Sequence, residues 1–334
     1  MGAAAWDVGR AVIDLAGLDG LAAAPGEVSH RTRALAGRSP HHGDDEGGRR
    51  RDHGGLSTGR PPIGPALSPV ACRVVDRRSE TTDAVTLSVD VADAGLAAAR
   101  PGQFTLLYAY GIGETPISLS GIEPGRWQHT IRAVGPLTTA LAATPTGTHV
   151  GVRGPFGHGW PLDRCRGRDL VVVAGGLGLA PLRPAIEAVL ADRGAYRRVT
   201  LLVGARSPDA LVFTTDLARW VAGHRIDVAV TFDRATNAWR SHLGPVSALV
   251  AAAVRDPDRT SALVCGPDPM MRAATGMLER RGVEPARISL SLERSMSCGE
   301  VASGGRGLGP LLVCRDGPVV TADAALTLLR PDTW

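Results

Sequence analysis

Two successive patterns of apolar and polar residues organise the chain after its first 66 residues. Between about residue 68 and residue 164, short apolar segments are separated by Gly and Pro turns at intervals of about 8–15 residues. This spacing predicts a small antiparallel β-barrel. The predicted strands are VACRVVDRR, AVTLSVDV, QFTLLYAY, PISLSG, WQHTIRAV and THVGVRG, with one helix over 136–143 before the last of them.

From residue 166 to about residue 284 the pattern changes to alternating strands and helices, which is typical of a parallel α/β sheet with right-handed crossovers. Strands are predicted over 170–174, 199–204, 226–232 and 262–265, and helices over 181–192, 214–222, 245–254 and 269–281. The predicted fold class is therefore a β-barrel followed by an α/β unit. The predicted domains are the barrel over 67–165, the α/β unit over 166–284 and a small cysteine-containing segment over 285–334.

The first 66 residues differ in composition from the rest of the chain. The stretch RSPHHGDDEGGRRRDHGGLSTGRPPIGP is dense in Gly, Pro and charge and has almost no large apolar residue. Such a segment cannot bury enough surface to offset the entropy that it would lose on ordering. We predict a solvated, disordered tail over 1–66; a start codon placed too far upstream is an open alternative.

Composition and charge narrow the classes of function. The 334 residues are 44% hydrophobic and 21% charged, which allows two or three globular domains. A formal net charge of +4 is too small to predict nucleic-acid binding, and every basic position is arginine because the chain has no lysine. No apolar run reaches the roughly 18 residues of a membrane span, and the N-terminus lacks the basic start of a signal peptide. The five unevenly spaced cysteines do not suggest a disulfide framework, so we expect a cytoplasmic protein.

The stretch VVVAGGLGLAPLRPAIEAVL, over 171–190, predicts a buried strand, a turn of small residues and a helix. Gly175, Gly176 and Gly178 leave room for a ligand to approach the backbone closely. Pro181 is predicted as the first helical residue, where its missing N–H costs nothing. A helix N-terminus after such a turn offers N–H groups to an anion, usually a phosphate. A tight turn that binds nothing is the alternative.

This stretch departs from the ordinary dinucleotide-binding fingerprint. Gly176-x-Gly178-x-x-Pro181 lacks the third small residue, and the next strand ends in Ala205 and Arg206 instead of an acid for the ribose. GGLGLAPL, which includes Ala180, instead resembles the pyridine-nucleotide lobe of the ferredoxin–NADP reductase superfamily. The resemblance implies that a nicotinamide coenzyme lies on this turn and that the preceding barrel holds a flavin.

Stretches of the predicted barrel resemble the flavin-binding pattern of the same superfamily, in the same order. They are Pro101-Gly102-Gln103-Phe104, Pro116-Ile117-Ser118-Leu119-Ser120, Gly135-Pro-Leu-Thr138 and Gly154-Pro155-Phe156-Gly157. The resemblance implies that the Ser118 hydroxyl faces the flavin ring, and that Thr138 and the N–H groups after Gly135 hold the FAD pyrophosphate. Many members carry an Arg where this chain has Thr115; FAD is still implied, with FMN as the less favoured flavin. A barrel with nothing bound is the alternative.

The turn Cys265-Gly266-Pro267 follows the last predicted strand of the α/β unit. The resemblance places it beside the nicotinamide, with the thiol near the carbon that gives up hydride. Taken alone, a Cys at the end of a buried strand is more often a small core residue. Arg206, after the second strand, could favour a 2′-phosphate. The choice between NAD and NADP stays open.

Residues 292–318 resemble one branch of the superfamily, which contains the γ subunits of nickel–iron hydrogenases and the corresponding subunit of anaerobic sulfite reductase. Dihydroorotate dehydrogenase electron-transfer subunits are more distant relatives. These proteins hold a 2Fe–2S cluster through cysteines spaced C-x4-C-x2-C-x7-C. Here Cys298 and Cys314 take the first and fourth places, while Ser303 and Arg306 replace the second and third. A protonated guanidinium cannot ligate iron, so we do not expect an ordinary 2Fe–2S cluster.

The resemblance implies an FAD-dependent NAD(P)H oxidoreductase in which Ser118 and Cys265 flank the reacting rings. It would serve as an electron-transfer subunit in a hetero-oligomer, with a hydrogenase or a sulfite reductase as its redox partner. Two alternatives are a stand-alone flavin or diaphorase-type reductase and a non-catalytic assembly subunit.

Overall fold

The computed structural model describes residues 68–234, 242–292 and 316–328. The predicted tail over 1–66 lies outside these residues. So do the four positions compared with the cluster motif, Cys298, Ser303, Arg306 and Cys314.

The first part of the described chain is a closed antiparallel barrel with the strand order β1-β2-β5-β4-β3-β6. Its strands are β1 (Val70–Ser79), β2 (Ala84–Asp90), β3 (Phe104–Ala109), β4 (Gly113–Glu123), β5 (Arg126–Arg132) and β6 (His149–Phe156). Successive side chains of a strand point to opposite faces, and the inward set includes Leu87, Leu107, Leu119 and Ile131, all fully buried. A short helix, α1 (Pro136–Ala142), adds Leu141 to this core. The predicted barrel is confirmed.

The second part is a seven-stranded sheet with the order β10-β9-β8-β7-β11-β12-β13, parallel except for β13. Its strands are β7 (Asp169–Gly175), β8 (Val199–Ala205), β9 (Asp227–Phe232), β10 (His242–Leu243), β11 (Thr260–Cys265), β12 (Ile288–Ser291) and β13 (Val319–Thr321). The helices are α2 (Leu179–Ala191), α3 (Thr214–Ala222), α4 (Ser247–Ala253), α5 (Asp268–Arg280) and α6 (Ala322–Leu328). The predicted parallel α/β unit is confirmed.

The sheet is covered on both faces, which explains why β7 reads as an unbroken apolar run. Val172 packs into the core that contains Ile186 of α2 and Leu217 of α3. Val171 and Val173 point the other way, into the core beneath α4 and α5. A strand buried on both faces needs apolar residues at every position.

Two details differ from the sequence-based expectations. Helix α2 begins at Leu179, so the prediction that Pro181 opens the helix is wrong by two residues. The turn Gly176–Gly178 is a 3-10 helix that runs straight into α2, and proline is tolerated there because the first-turn N–H groups have no intrahelical acceptor. The sheet also contains β10, β12 and β13, which were not predicted, and two of these come from the expected C-terminal segment 285–334.

The strand order reverses between β7 and β11, which are neighbours in the sheet. In open α/β sheets, ligands bind outside the carboxyl ends of the strands at such a reversal. The glycine turn follows β7 and the Cys265 turn follows β11, so both predicted nicotinamide motifs lie at this point. Within the residues that the structure describes, no helix combines the length and apolarity needed to cross a membrane.

Candidate functional site

The turns after β7 and β11 contact each other at glycine residues. A Cβ added to Gly178 would lie 2.6 Å from the backbone nitrogen of Gly266, and one added to Gly175 would lie 2.8 Å from Cε of Met270. Gly266 has a φ of +155°, and a Cβ there would lie 2.9 Å from Cα of Gly175. Gly178 and Gly266 accept no side chain unless the backbone moves, because each lies against backbone atoms of the other turn. Gly175 instead lies against the side chains of Met270 and Pro267. The structure thus brings the two predicted nicotinamide motifs together.

A cavity of about 410 Å³ opens between the barrel and the first turn of α2. Its barrel wall includes Thr115, Pro116, Ile117 and Ser118 of β4, together with Thr138 of α1. Its opposite wall contains Leu177, Ala180 and Pro181. The motifs predicted to hold a flavin and a nicotinamide therefore face one another across a single cavity. Its lining is mostly apolar with a few polar groups, which is the usual composition of a cofactor site.

Other predicted site residues do not line this cavity. Leu119 and Ser120 are fully buried, as is Cys265, whose carbonyl packs beneath Gly178. Gly135 precedes α1 as its N-cap residue. Arg206 is exposed after the end of β8.

The Thr138 hydroxyl orders the loop before α1. Its Oγ1 accepts hydrogen bonds from the N–H groups of Val134, at 3.2 Å, and Gly135, at 3.0 Å, and donates to the Gly135 carbonyl at 3.1 Å. The single hydroxyl proton is therefore committed to the backbone. Thr139 donates the first intrahelical bond, to Gly135, so the N–H groups of Leu137 and Thr138 are the donors that this turn leaves for an anion.

The two remaining barrel motifs are joined at the rim of the cavity. The Phe104 and Phe156 rings lie with their centroids 5.7 Å apart, and Gln103 Nε2 donates to the Gly157 carbonyl at 2.8 Å. Gly157, with a φ of +76°, lies directly against Gly317. Gly154 and Pro155 are joined by a cis peptide bond just before this contact. These residues shape the rim of the cavity from behind Phe104, which lines it.

Several residues that line the cavity were not predicted as site residues, and three of them, Arg132, Leu292 and Pro318, bear on the function. Arg132 of β5 is the one charged side chain among the described lining residues, and its Nε lies 3.2 Å from Oδ2 of Asp83. Leu292 and Pro318 also line the cavity, and the Leu292 N–H donates to the Pro318 carbonyl at 2.9 Å. Two described residues on either side of positions 293–315, Leu292 and Pro318, therefore lie together at the cavity. Antiparallel pairing of β4 with β5 could have indicated Arg132. Leu292 and Pro318 are the two ends of the stretch that resembles the cluster-binding branch, but that resemblance did not indicate that they line a cavity.

Burial controls the titration of several groups outside the cavity. Burial lowers the pKa of His129 to about 3, so this imidazole is neutral near pH 7; its Nε2 lies 2.8 Å from Oγ1 of Thr105. Burial also raises the pKa of the Cys72 and Cys165 thiols to about 11, which keeps them protonated. Neither thiol is suited to act as a nucleophile or a metal ligand.

The described residues contain no group of three or more His, Cys, Asp or Glu side chains arranged to hold a metal ion. Because Cys298, Ser303, Arg306 and Cys314 lie outside those residues, the expectation about the 2Fe–2S cluster stays a prediction.

Comparison with known proteins finds relatives that are similar to most of the described chain. The family described as oxidoreductase NAD-binding domain matches residues 172–276. Sulfhydrogenase 2 subunit gamma of Pyrococcus furiosus is 33% identical over 245 residues, which cover 68% of this chain and 85% of the relative. A probable dihydroorotate dehydrogenase B (NAD(+)) electron transfer subunit of Thermococcus kodakarensis is 34% identical over 231 residues, covering 69% of this chain and 88% of that protein.

Among solved structures, an NADH-dependent reduced ferredoxin–NADP oxidoreductase studied for flavin-based electron bifurcation has the same fold. Its TM-score is 0.62 at 23% identity, and the match covers 78% of this chain and 94% of that one.

Proposed function

Because the chain belongs to the ferredoxin–NADP reductase superfamily, in the branch of sulfhydrogenase γ subunits and dihydroorotate dehydrogenase electron-transfer subunits, we propose that it is an FAD-dependent NAD(P)H oxidoreductase. It acts as an electron-transfer subunit that passes electrons between a nicotinamide nucleotide and a redox partner. One observation carries this proposal. The strand with Ser118 and the helix that follows the glycine turn form opposite walls of one cavity.

The residues of the barrel wall fit a flavin. Pro116 and Ile117 offer an apolar surface for the ring, Ser118 offers a hydroxyl, and the N–H groups at the start of α1 offer donors to a phosphate. Arg132 supplies a cation on the strand next to Thr115, where many relatives have their arginine. Bound there, a flavin would accept two electrons as a hydride and release them one at a time.

The residues of the opposite wall fit a dinucleotide. In our proposal Gly175, Gly176 and Gly178 let its backbone approach the turn, and the first turn of α2 directs N–H groups toward its phosphates. Gly266 and Pro267, which follow the neighbouring strand β11, complete the proposed dinucleotide-binding site. Cys265 is fully buried, so its role near the nicotinamide would run through its support of Gly178.

The protein's own contribution is to align the two rings and keep water away from them. Leu292 and Pro318 close one side of the cavity, at the two ends of the segment 293–315. We propose that a partner protein of hydrogenase or sulfite reductase type takes up electrons on this side, in a hetero-oligomer in the cytoplasm. Arg206 is the candidate residue for selecting NADP over NAD.

The test uses the purified full chain, supplied with FAD without oxygen. We expect FAD to co-elute with the protein, to show the visible bands of oxidised flavin, and to pass electrons from NADH or NADPH to a partner faster than to free dyes. Rapid turnover with dyes and no preference for any partner would favour a stand-alone diaphorase. A chain that binds no FAD but still co-purifies with a larger redox enzyme would contradict the proposal and leave an assembly role.

A further inference from the structure

Arg183 joins the helix of the nicotinamide turn to the strand of the flavin pocket. It lies on α2, two residues after Pro181, and its side chain is 13% exposed. Its Nη1 donates to the Ser120 carbonyl at 2.7 Å and to Oε1 of Gln128 at 2.6 Å. Its Nε donates to Oδ2 of Asp216 at 2.7 Å. One guanidinium thus bonds two acceptors on the barrel and one on the α/β unit.

The barrel side of this contact is shaped to receive a guanidinium. The pairing of β4 with β5 shifts between Leu119 and Gly121, so Ser120 is the extra residue of a β-bulge. A bulged residue is left without a ladder partner, and here the Ser120 carbonyl accepts from Arg183 instead. Gly121 has no side chain, and a Cβ there would lie 2.8 Å from Cδ of Gln128. The glycine therefore leaves the space in which the Gln128 amide reaches Arg183.

On the α/β unit, the same guanidinium pairs with the Asp216 carboxylate and lies over the Phe213 ring. The Arg183 carbon Cζ lies 5.2 Å from the centroid of the Phe213 ring. Burial opposes ionisation of Asp216, but hydrogen bonds from Arg183 and Arg219 outweigh it and hold the pKa of this carboxyl below its usual range. A carboxylate at this position stays charged and keeps Arg183 paired.

A second bond crosses the same interface. Oε2 of Glu80, whose side chain is 5% exposed, accepts from the Phe213 N–H at 3.0 Å. Phe213 has a φ of +58°, a left-handed conformation that is costly for an aromatic residue and persists only where the surroundings fix it. The backbone that carries the ring beside Arg183 is therefore fixed from the barrel.

We propose that Arg183 is a positioning residue: it sets the distance between the nicotinamide turn and the Ser118 strand, and so aligns the two reacting rings. Ser120 is two residues from Ser118 on β4, and Arg183 is two residues from Pro181 on α2, so the bond joins the cavity walls close to their lining residues. The inference rests on the proposed function. Alignment of this kind is sensitive, since a misplacement of about 1 Å can lower a rate about 10²-fold.

The test compares Arg183→Met with Arg219→Met. Arg219 pairs with the same Asp216 at 2.9 Å, but the ion pairs described for it all lie within the α/β unit. For Arg183→Met we expect the limiting rate of flavin reduction at saturating NAD(P)H to fall about 10²-fold. The dissociation constants of FAD and nucleotide should change by less than about threefold, a small free-energy difference. The long-wavelength charge-transfer absorbance between nicotinamide and flavin should disappear. Arg219→Met should keep both the rate and the absorbance, because the direct Arg183–Asp216 bond at 2.7 Å and both barrel bonds of Arg183 remain.

Two further variants and a cofactor-free measurement protect the test against misfolding. Arg183→Lys should stay slow, because an ammonium cannot serve three acceptors in the plane of a guanidinium. Gln128→Met removes one barrel acceptor and should slow the reduction about tenfold, with the same loss of absorbance. In protein without FAD, amide hydrogen exchange of β4 and α2 should rise in Arg183→Met and not in Arg219→Met.

The outcomes separate this inference from the proposed function. If the wild-type protein binds FAD but neither nucleotide reduces it, the proposed function fails, whatever the exchange data show. If the wild type is reduced and Arg183→Met keeps its limiting rate and its charge-transfer absorbance, the positioning role is wrong. Loss of FAD binding in Arg183→Met and Gln128→Met alike would show a merely structural role and overturn the inference.

Discussion

Replacing Gly178 with alanine tests whether the two turns at the strand reversal must touch. A Cβ at this position would lie 2.5 Å from the carbonyl carbon of Cys265 and 2.6 Å from the nitrogen of Gly266. Both are backbone atoms, so no side-chain rotation relieves the contact. The Cys265 carbonyl oxygen would be nearer still, and ordinary van der Waals contact begins near 3.4 Å, so the turns must separate by about 1 Å.

This displacement sets the expected magnitudes. Overpacking of a well-packed interior costs about 1–3 kcal/mol in the free energy of unfolding, and we expect Gly178→Ala to fall in that range. A shift of about 1 Å in the nucleotide seat should slow flavin reduction at saturating NAD(P)H by about 10²-fold. The affinity for FAD should not change, because its proposed contacts lie on the barrel.

The assay combines urea denaturation with anaerobic rapid mixing, followed by flavin absorbance. Gly194→Ala is the matched control, since a Cβ there would meet no atom within 4 Å. It should leave stability and rate unchanged. If Gly178→Ala kept both the wild-type stability and the wild-type rate, close packing of the two turns would not be required and the nucleotide would have to bind elsewhere.

Three further predictions address the barrel and its junction with α2. Burial lowers the pKa of His129 from 6.5 to about 3, so as the pH falls this imidazole binds a proton in the unfolded protein before it does so in the folded protein. Between about pH 6.5 and pH 4.5 the wild type should therefore lose about 2 kcal/mol of unfolding free energy that the His129→Gln variant does not lose. Urea denaturation at each pH measures this difference. Arg132→Met should weaken FAD binding by about ten- to a hundredfold, which is the value of one charge-assisted hydrogen bond. Arg126→Met, on the same strand, should leave FAD binding unchanged. If a fluorescence titration gave the Arg132→Met variant and the wild type the same affinity for FAD, Arg132 would not belong to the site. Trp160→Phe loses the Nε1–H bond to the Pro181 carbonyl, at 2.9 Å, and should cost about 1 kcal/mol; an unchanged urea midpoint would show that this bond contributes nothing.

The strands and helices were predictable where a local pattern is strong. Local sequence determines the β7 run of valines, the turns between barrel strands and the glycines before α2. The structure has these features close to their predicted positions. The start of α2 was misplaced because proline is equally acceptable at several positions of a first turn. Strands β10 and β13 were missed because they are only two and three residues long.

The cavity itself was predictable only in part. The motifs around Ser118, Thr138 and Ala180 were found, and the structure places them around one space. The Arg183 contact was not found, because it needs a bulge at Ser120, 63 residues away in the chain. This contact depends on how the barrel and the α/β unit pack together, and no local sequence pattern indicates that packing.

Hydride transfer across the cavity is tested most directly by an anaerobic titration of the FAD-loaded protein with NADH and, separately, with NADPH, followed by the visible absorbance of the flavin. We expect about one equivalent of the preferred nucleotide to bleach the flavin completely, and the first nucleotide bound to give a transient long-wavelength charge-transfer band. Bound FAD that neither nucleotide bleaches would show that the two walls of the cavity do not bring a nicotinamide to the flavin.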